Sequence, residues 1–418
     1  MKAYFQGLAQ HVWAYTAALA KWLVLATITG TVCGLLGTAF HVAVELATGW
    51  RQGHPWMLWL LPLAGVAIVG IYKLTRSEGQ NTNTVIEEVK SGTPLHMRLL
   101  PAIFISSVLT HLCGGSAGRE GAALQMGGDI GYHAGRWMGL NDHDCRTATL
   151  CGMAAFFSAL FGTPLAASLF AMMMIRIGVV FYAAFTPCFA ASLVAYAVSV
   201  LLGVPPTHFT VAAPEQSVGM MVRVAILGVA CAFVTILFCW GLHAAEVYLR
   251  KFFPNAWLKA PAGGAIIILL TLLMGSQRYN GAGMDVITAA IEQGSAQPMD
   301  WIWKILFTAI TLGAGYKGGE VVPSFFIGAT FGCVVGPLLG IPAGFAAAVG
   351  LIAVFCGASN CLISSIFLAI ELFGSGGVLY YAVACGLSYV LSGYSGLYSS
   401  QEILTSKLAS EYHTEPVK

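Results

Sequence analysis

Glycine-rich, partly charged interruptions inside long apolar runs are the feature that most limits what this sequence can fold into. Apolar segments recur over 20–48, 56–74, 97–112, 147–175, 178–203, 219–248, 260–275, 301–314, 321–338, 342–356, 361–374 and 377–393. Some approach the ~20 residues a helix needs to cross the hydrocarbon core, and several are clearly shorter. A backbone that stops partway through lipid leaves N–H and C=O groups unpaired, which is tolerated only where protein or a polar cavity surrounds them. The interruptions at 113–121 and 313–323 place glycine and charged residues where such groups would need shelter. The expectation is an all-α, polytopic membrane protein, a bundle with tilted and broken helices.

Composition agrees with lipid as the main solvent. The chain is 57% hydrophobic and 9% charged, with a mean hydropathy of +0.77, against roughly 25% charged residues in soluble domains. A dispersed net charge of +2 offers no basic stripe for a nucleic acid. Cys33, Cys151, Cys188, Cys231, Cys239, Cys333, Cys356 and Cys361 fall inside apolar stretches without a CxxC pair, which predicts small buried thiols. Lys2 and Lys21 flank a mixed aromatic segment without a cleavage site, so no removable signal peptide is expected, and the N-terminus reads as a short interfacial helix. About 20 residues follow Tyr398, so no soluble regulatory domain is expected. Scattered histidines without HExxH spacing and the lack of a GxSxG elbow predict no metal and no cofactor, leaving a membrane-embedded enzyme as a remote alternative.

The two interrupted places resemble each other. GSAGREGAALQMGG (115–128) over GYKGGEVVPSFFIG (315–328) matches Gly115 with Gly315, Gly118 with Gly318, Glu120 with Glu320 and Gly128 with Gly328. FGTPLAASLFAMMM (161–174) has a looser counterpart in NCLISSIFLAIELF (360–373). Repeated halves with interrupted helices point to a transporter whose site lies near the midplane between them. The halves are taken as 1–205 and 206–418. The small-residue character of 148–170 and 328–350 suits close helix approach.

Glu120 is the costly residue in this pattern. A charge within a membrane helix costs on the order of 3 kcal/mol on insertion scales and is usually kept for function. A helix beginning near Gly121 would aim N–H groups and a positive dipole end at an anion. Deprotonated, the carboxylate competes with that anion; protonated, it swings away or donates a hydrogen bond, which links proton and anion movement. The plainer alternative is an ion pair with Arg119 that only fixes the turn.

GSAGREGAALQMG resembles the Gly-Lys/Arg-Glu-Gly signature of the CLC family of chloride channels and anion/proton antiporters. GGEVVP (318–323) resembles the second-half anion motif of that family, and GLYSSQ (396–401) its late helix bearing a tyrosine. The resemblance implies a homodimer of inverted-repeat subunits in a bacterial inner membrane, each subunit with its own anion path. It implies Glu120 as the external gating glutamate, backbone N–H groups of Gly121, Val321 and Val322 facing the anion, and the Tyr398 hydroxyl on the central anion. The usual serine-bearing Gly-Ser-Gly-Ile-Pro segment is replaced by EGQNTNTVIEEV (78–89), which places Asn81, Thr82 and Asn83 in the loop; the resemblance implies Asn81 or a neighbour such as Thr82 at the central position. With Glu320 in the GGEV motif, this resembles the fluoride/proton antiporter branch.

Two departures bear on mechanism. Met173 and Met174 stand where family antiporters carry an internal glutamate, and a thioether cannot carry a proton, which leaves Glu320 as the second protonatable group. Its plainer alternative is a helix cap. Val322 stands where the fluoride branch commonly has Thr, removing a hydroxyl that could replace fluoride's water. The reading is F⁻ export in exchange for H⁺ across the bilayer, with a chloride/proton antiporter or passive chloride channel as the alternative.

Overall fold

The structure is a computed structural model that describes the backbone of residues 2–408 and 412–416, with side chains described over 12–408. The described residues form α1 (Lys2–Gly53), α2 (Leu61–Leu74), α3 (Thr82–Ser91), α4 (Leu99–Leu112), α5 (Glu120–Trp137), α6 (Asp142–Phe161), α7 (Pro164–Met173) and α8 (Phe185–Leu201). After a connection that ends at Ser217 come α9 (Val218–Phe252), α10 (Ala256–Met274), α11 (Met284–Glu292), α12 (Asp300–Gly313), α13 (Val321–Val335), α14 (Ala343–Ser359), α15 (Leu362–Phe373) and α16 (Val378–Leu391). Among them, six helical stretches are long and apolar enough to cross a membrane, and several apolar helices are shorter.

The N-terminus differs from the expected separate interfacial helix. α1 runs unbroken for 52 residues, about 78 Å at 1.5 Å per residue, far beyond the ~30 Å hydrocarbon core. No proline interrupts this stretch, and Lys21 is held by Asp144 of α6 at 2.7 Å, so the charge that suggested a boundary is paired within the bundle.

The element order of α1–α8 repeats in α9–α16, and the breaks repeat in backbone detail. α6 ends at Gly162 (φ +70) and α7 follows Thr163 (φ −121, ψ 72); α14 ends at Asn360 (φ +61) and α15 follows Cys361 (φ −114, ψ 71). α4 and α12 each end before a positive-φ glycine, Gly114 and Gly315. α5 then crosses α6 where Gly127 meets the Gly152 carbonyl, as α13 crosses α14 where Gly328 meets the Gly350 carbonyl. The repeat register is therefore one residue away from the sequence alignment: Gly118 corresponds to Gly319, and Gly127 to Gly328. Matching Glu120 with Glu320 had followed residue type, whereas the backbone makes Glu120 the counterpart of Val321 and Arg119 that of Glu320.

Two contacts bind the broken helices together. Glu371 on α15 accepts the N–H groups of Leu165 (3.0 Å) and Ala166 (2.9 Å), filling the unpaired first turn of α7. A small sheet, additional to the expected all-α fold, pairs β1 (Arg176–Ile177) parallel to β2 (Glu402–Thr405), which pairs antiparallel with β3 (Tyr412–Pro416). Residues 396–401, expected as a late helix, instead form turns that lead into β2. The Leu397 N–H donates to the Ala358 carbonyl at 2.9 Å and the Gln401 N–H to the Tyr398 carbonyl at 3.1 Å, so turn and tertiary bonds rather than helix formation satisfy this backbone before the buried Ile403 pairs with Ile177 in the sheet. All eleven cysteines are buried thiols.

Candidate functional site

The two interruptions meet face to face. The Gly118 N–H donates to the Gly319 carbonyl at 2.7 Å and the Gly319 N–H to the Gly118 carbonyl at 2.8 Å, an isolated antiparallel bridge between the repeats. α5 starts two residues after Gly118 and α13 two residues after Gly319, so the N-terminal ends of two helices open from one point. Unpaired N–H groups and the positive ends of both dipoles converge there.

Glu120, the first residue of α5, is completely buried. Its Oε2 accepts the N–H of Arg119 at 3.0 Å and, across the repeat boundary, the N–H of Val322 at 3.2 Å. Its Oε1 has no partner. A Cβ on Gly118 would collide with Oε2, so glycine lets the carboxylate fold back over the bridge. Among the described ion pairs none joins Arg119 to Glu120; the bond from Arg119 is its backbone N–H. The carboxylate thus sits where a free anion would take the same N–H groups.

Glu320 occupies the N-cap position of α13 without a side-chain capping bond, and its buried Oε2 has no partner. A Cβ on Gly121 would lie 3.3 Å from that oxygen, so the bare Gly121 backbone faces Glu320. Val321 and Val322 are buried, and the Val322 N–H is taken by the Glu120 carboxylate. Tyr398 is buried with an unpartnered hydroxyl, within electrostatic reach of Glu320 and Glu120.

Asn81 and Thr82 separate. Thr82 is buried at the start of α3, with its hydroxyl donating to the Gly121 carbonyl at 3.4 Å, whereas Asn81 is exposed and its backbone N–H bonds the Thr84 hydroxyl. Of the two, only Thr82 reaches the Gly121 turn. One residue of the site escaped sequence reasoning. Gln125 Nε2 donates to the Thr82 hydroxyl and the Gly121 carbonyl, each at 3.1 Å; its spacing of four from Gly121 was the available signal. Asn83 Oδ1 accepts the Ser400 N–H at 3.1 Å, tying α3 to the Tyr398 turn.

The description of the voltage gated chloride channel family matches residues 65–393. A "Chloride/fluoride channel protein" of Pseudomonas syringae pv. tomato is 37% identical over 93% of this chain and 88% of its own length. An "H(+)/Cl(-) exchange transporter ClcA" of Vibrio campbellii is 26% identical over 84% of this chain and 81% of its own. The crystal structure of a CLC-type fluoride/proton antiporter superposes with a TM-score of 0.89 at 29% identity, covering 92% of this chain and 98% of that one. A slow cyanobacterial Cl⁻/H⁺ antiporter shares the fold at 20% identity, with a TM-score of 0.76 over 89% of this chain and 94% of its own. Matched along most of its length by the family description and by a relative at this identity, the chain belongs to the voltage gated chloride channel, or CLC, family of membrane proteins.

Proposed function

We propose that this protein exchanges fluoride for protons across the cell membrane, with Glu120 as the group that both charges share. The observation that carries the reading is the Val322 N–H donating to Glu120 Oε2 at 3.2 Å. An ionised carboxylate holds that charge-assisted bond and blocks the seat; a proton on it weakens the bond and frees the seat for an anion. Fluoride needs donors to replace its hydration. Freed N–H groups and the unpartnered Tyr398 hydroxyl can supply them, with Gly121, Val321 and Thr82 shaping the seat. Asn81 would act from the exposed side of Thr82.

Glu320 is the second proton carrier in this reading. It lies beside Gly121 with a free oxygen, while Met173 and Met174 leave the end of α7 without a carboxylate. Glu320→Gln is expected to lower the number of protons moved per fluoride, read from parallel fluoride and pH electrodes; an unchanged ratio removes it from the proton route. The repeat halves divide in the connection between α8 and α9, and the working unit is a homodimer, as family membership supports. Transport rather than catalysis is the activity, and no cofactor takes part.

Val322 and the relatives named for chloride exchange favour a second reading, chloride in place of fluoride. Liposomes loaded with KF or KCl separate the two: fluoride release with little chloride release is expected, and brisk chloride release with no fluoride release overturns the fluoride assignment.

A further inference from the structure

α5 carries a polar stripe at a spacing of four that leads away from the site: Gly121, Gln125, Asp129 and His133. Four-residue spacing stacks side chains on one face of a helix. Gln125 is anchored at the inner end by Thr82 and Gly121. Asp129 is completely buried, and neither carboxylate oxygen has a hydrogen-bond partner. The His133 Nδ1 lies 3.2 Å from Asp129 Oδ1, yet its hydrogen bond is to the Asp129 backbone carbonyl at 2.9 Å. The side chain of His133 is 19% exposed. One turn beyond, Arg136 and Asp142 form an exposed pair at 2.9 Å, so this end of α5 meets water.

We propose that Asp129 and His133 form the proton route between that water-exposed end of α5 and the Gly121 turn, where Glu320 and Glu120 are found. The inference rests on the exchange reading above. A buried carboxyl whose oxygens take no hydrogen bond and whose one ionic neighbour is the His133 imidazole at 3.2 Å is unfavourable to keep in a packed membrane bundle, and intramembrane Asp/His chains are a recurring form of proton relay. The stripe spans about 18 Å from Gly121 to His133 at 1.5 Å per residue. It also supplies titratable groups on the α5 side of the site, where the end of α7 has none. Of the titratable groups on neighbouring elements, Lys21 of α1 pairs with Asp144 of α6 and His41 of α1 with Glu45; His111 of α4 bonds the Ser107 carbonyl through Nδ1 and leaves Nε2 unpartnered, and Glu88 of α3 is buried beside Thr149 and Arg146 of α6 with Oε2 unpartnered. In this route His133 takes a proton from water, Asp129 Oδ1 receives it, and Gln125 orients its passage toward Glu320 without itself changing charge.

The test uses the full-length protein in liposomes with an outward fluoride gradient, recording fluoride and pH together. Asp129→Asn is expected to reduce coupled proton uptake by about 100-fold, the lower range for removing a positioned proton carrier, and Asp129→Glu to retain it. Adding Asp129→Asn to Glu120→Gln, in which fluoride moves without protons, is expected to change fluoride flux no further. A loss of flux in that background as well would make Asp129 a structural residue and overturn the relay. Should Asp129→Asn not fold, His133→Gln decides, with slowed uptake and an altered pH profile expected and wild-type uptake contradicting. A coupled wild type whose Asp129 and His133 variants remain coupled overturns this inference alone; an uncoupled wild type overturns the exchange reading and the relay with it.

Discussion

Glu120→Gln is expected to abolish fluoride-driven proton movement, a loss of about 100-fold or more on the scale of positioned proton carriers, while fluoride itself still crosses. The amide matches the carboxylate in size but takes no proton and holds no charge. Its oxygen can still accept from Val322, whose bond to the native carboxylate is 3.2 Å, but a neutral acceptor makes roughly half as strong a bond as an ionised one. A free anion then competes for the seat on better footing at every pH. Wild-type flux should rise as external pH falls and more carboxylate is protonated, whereas the variant should lose that dependence. Parallel fluoride and pH electrode traces on reconstituted protein check this. Retained proton coupling in the variant would show that the gating proton resides elsewhere.

Gly152→Ala is expected to have the largest effect on the fold. A Cβ at that position would collide with the Gly127 carbonyl oxygen and lie 2.8 Å from its carbon. The neighbour is backbone in the middle of a helix, so it cannot rotate away as a side chain would. Overpacking of this kind costs about 3 kcal/mol or more, and any relief must push α5, with Glu120 at its head, off α6. A lowered melting temperature in detergent and weakened fluoride transport should appear together. Gly386→Ala is the control: nothing lies within 4 Å of its added Cβ, and alanine favours a helix by about 1 kcal/mol over glycine. A Gly152→Ala protein as stable as wild type would contradict the close α5–α6 crossing.

The repeat was legible in sequence because its halves share glycine-lined crossings and helix breaks. Its register was not, since GREG and GGEV both place a glutamate two residues after a glycine. The bridge between Gly118 and Gly319, with the matching helix ends and crossings, shows that Glu120 and Glu320 are unequal. Glu120 heads α5 and reaches a helix end from the opposite repeat; Glu320 sits one position earlier relative to its own helix. The glutamates and Tyr398 stood out because polar groups are conspicuous in an apolar chain. Gln125 did not, because its importance lies in a partner 43 residues away; Asn83 was legible as a polar loop residue, but not its bond to Ser400, 317 residues away. The C-terminal sheet escaped for the same reason: β2 is set by pairing with β1, a partner from the other half of the chain. Continuity of α1 was hidden because Lys2 and Lys21 flank a mixed aromatic segment, whereas Lys21 is paired with Asp144 within the bundle.

The central claim is that one buried carboxylate serves the proton and the anion in turn. Its most direct test is wild-type protein in liposomes with a fluoride gradient and no pH gradient at the start. Outward fluoride flow should drive protons inward until the lumen is more acidic than the bath, in a fixed ratio to the fluoride lost and with proton permeability otherwise blocked. Fluoride leaving with no proton uptake would contradict the account and make the protein a passive path.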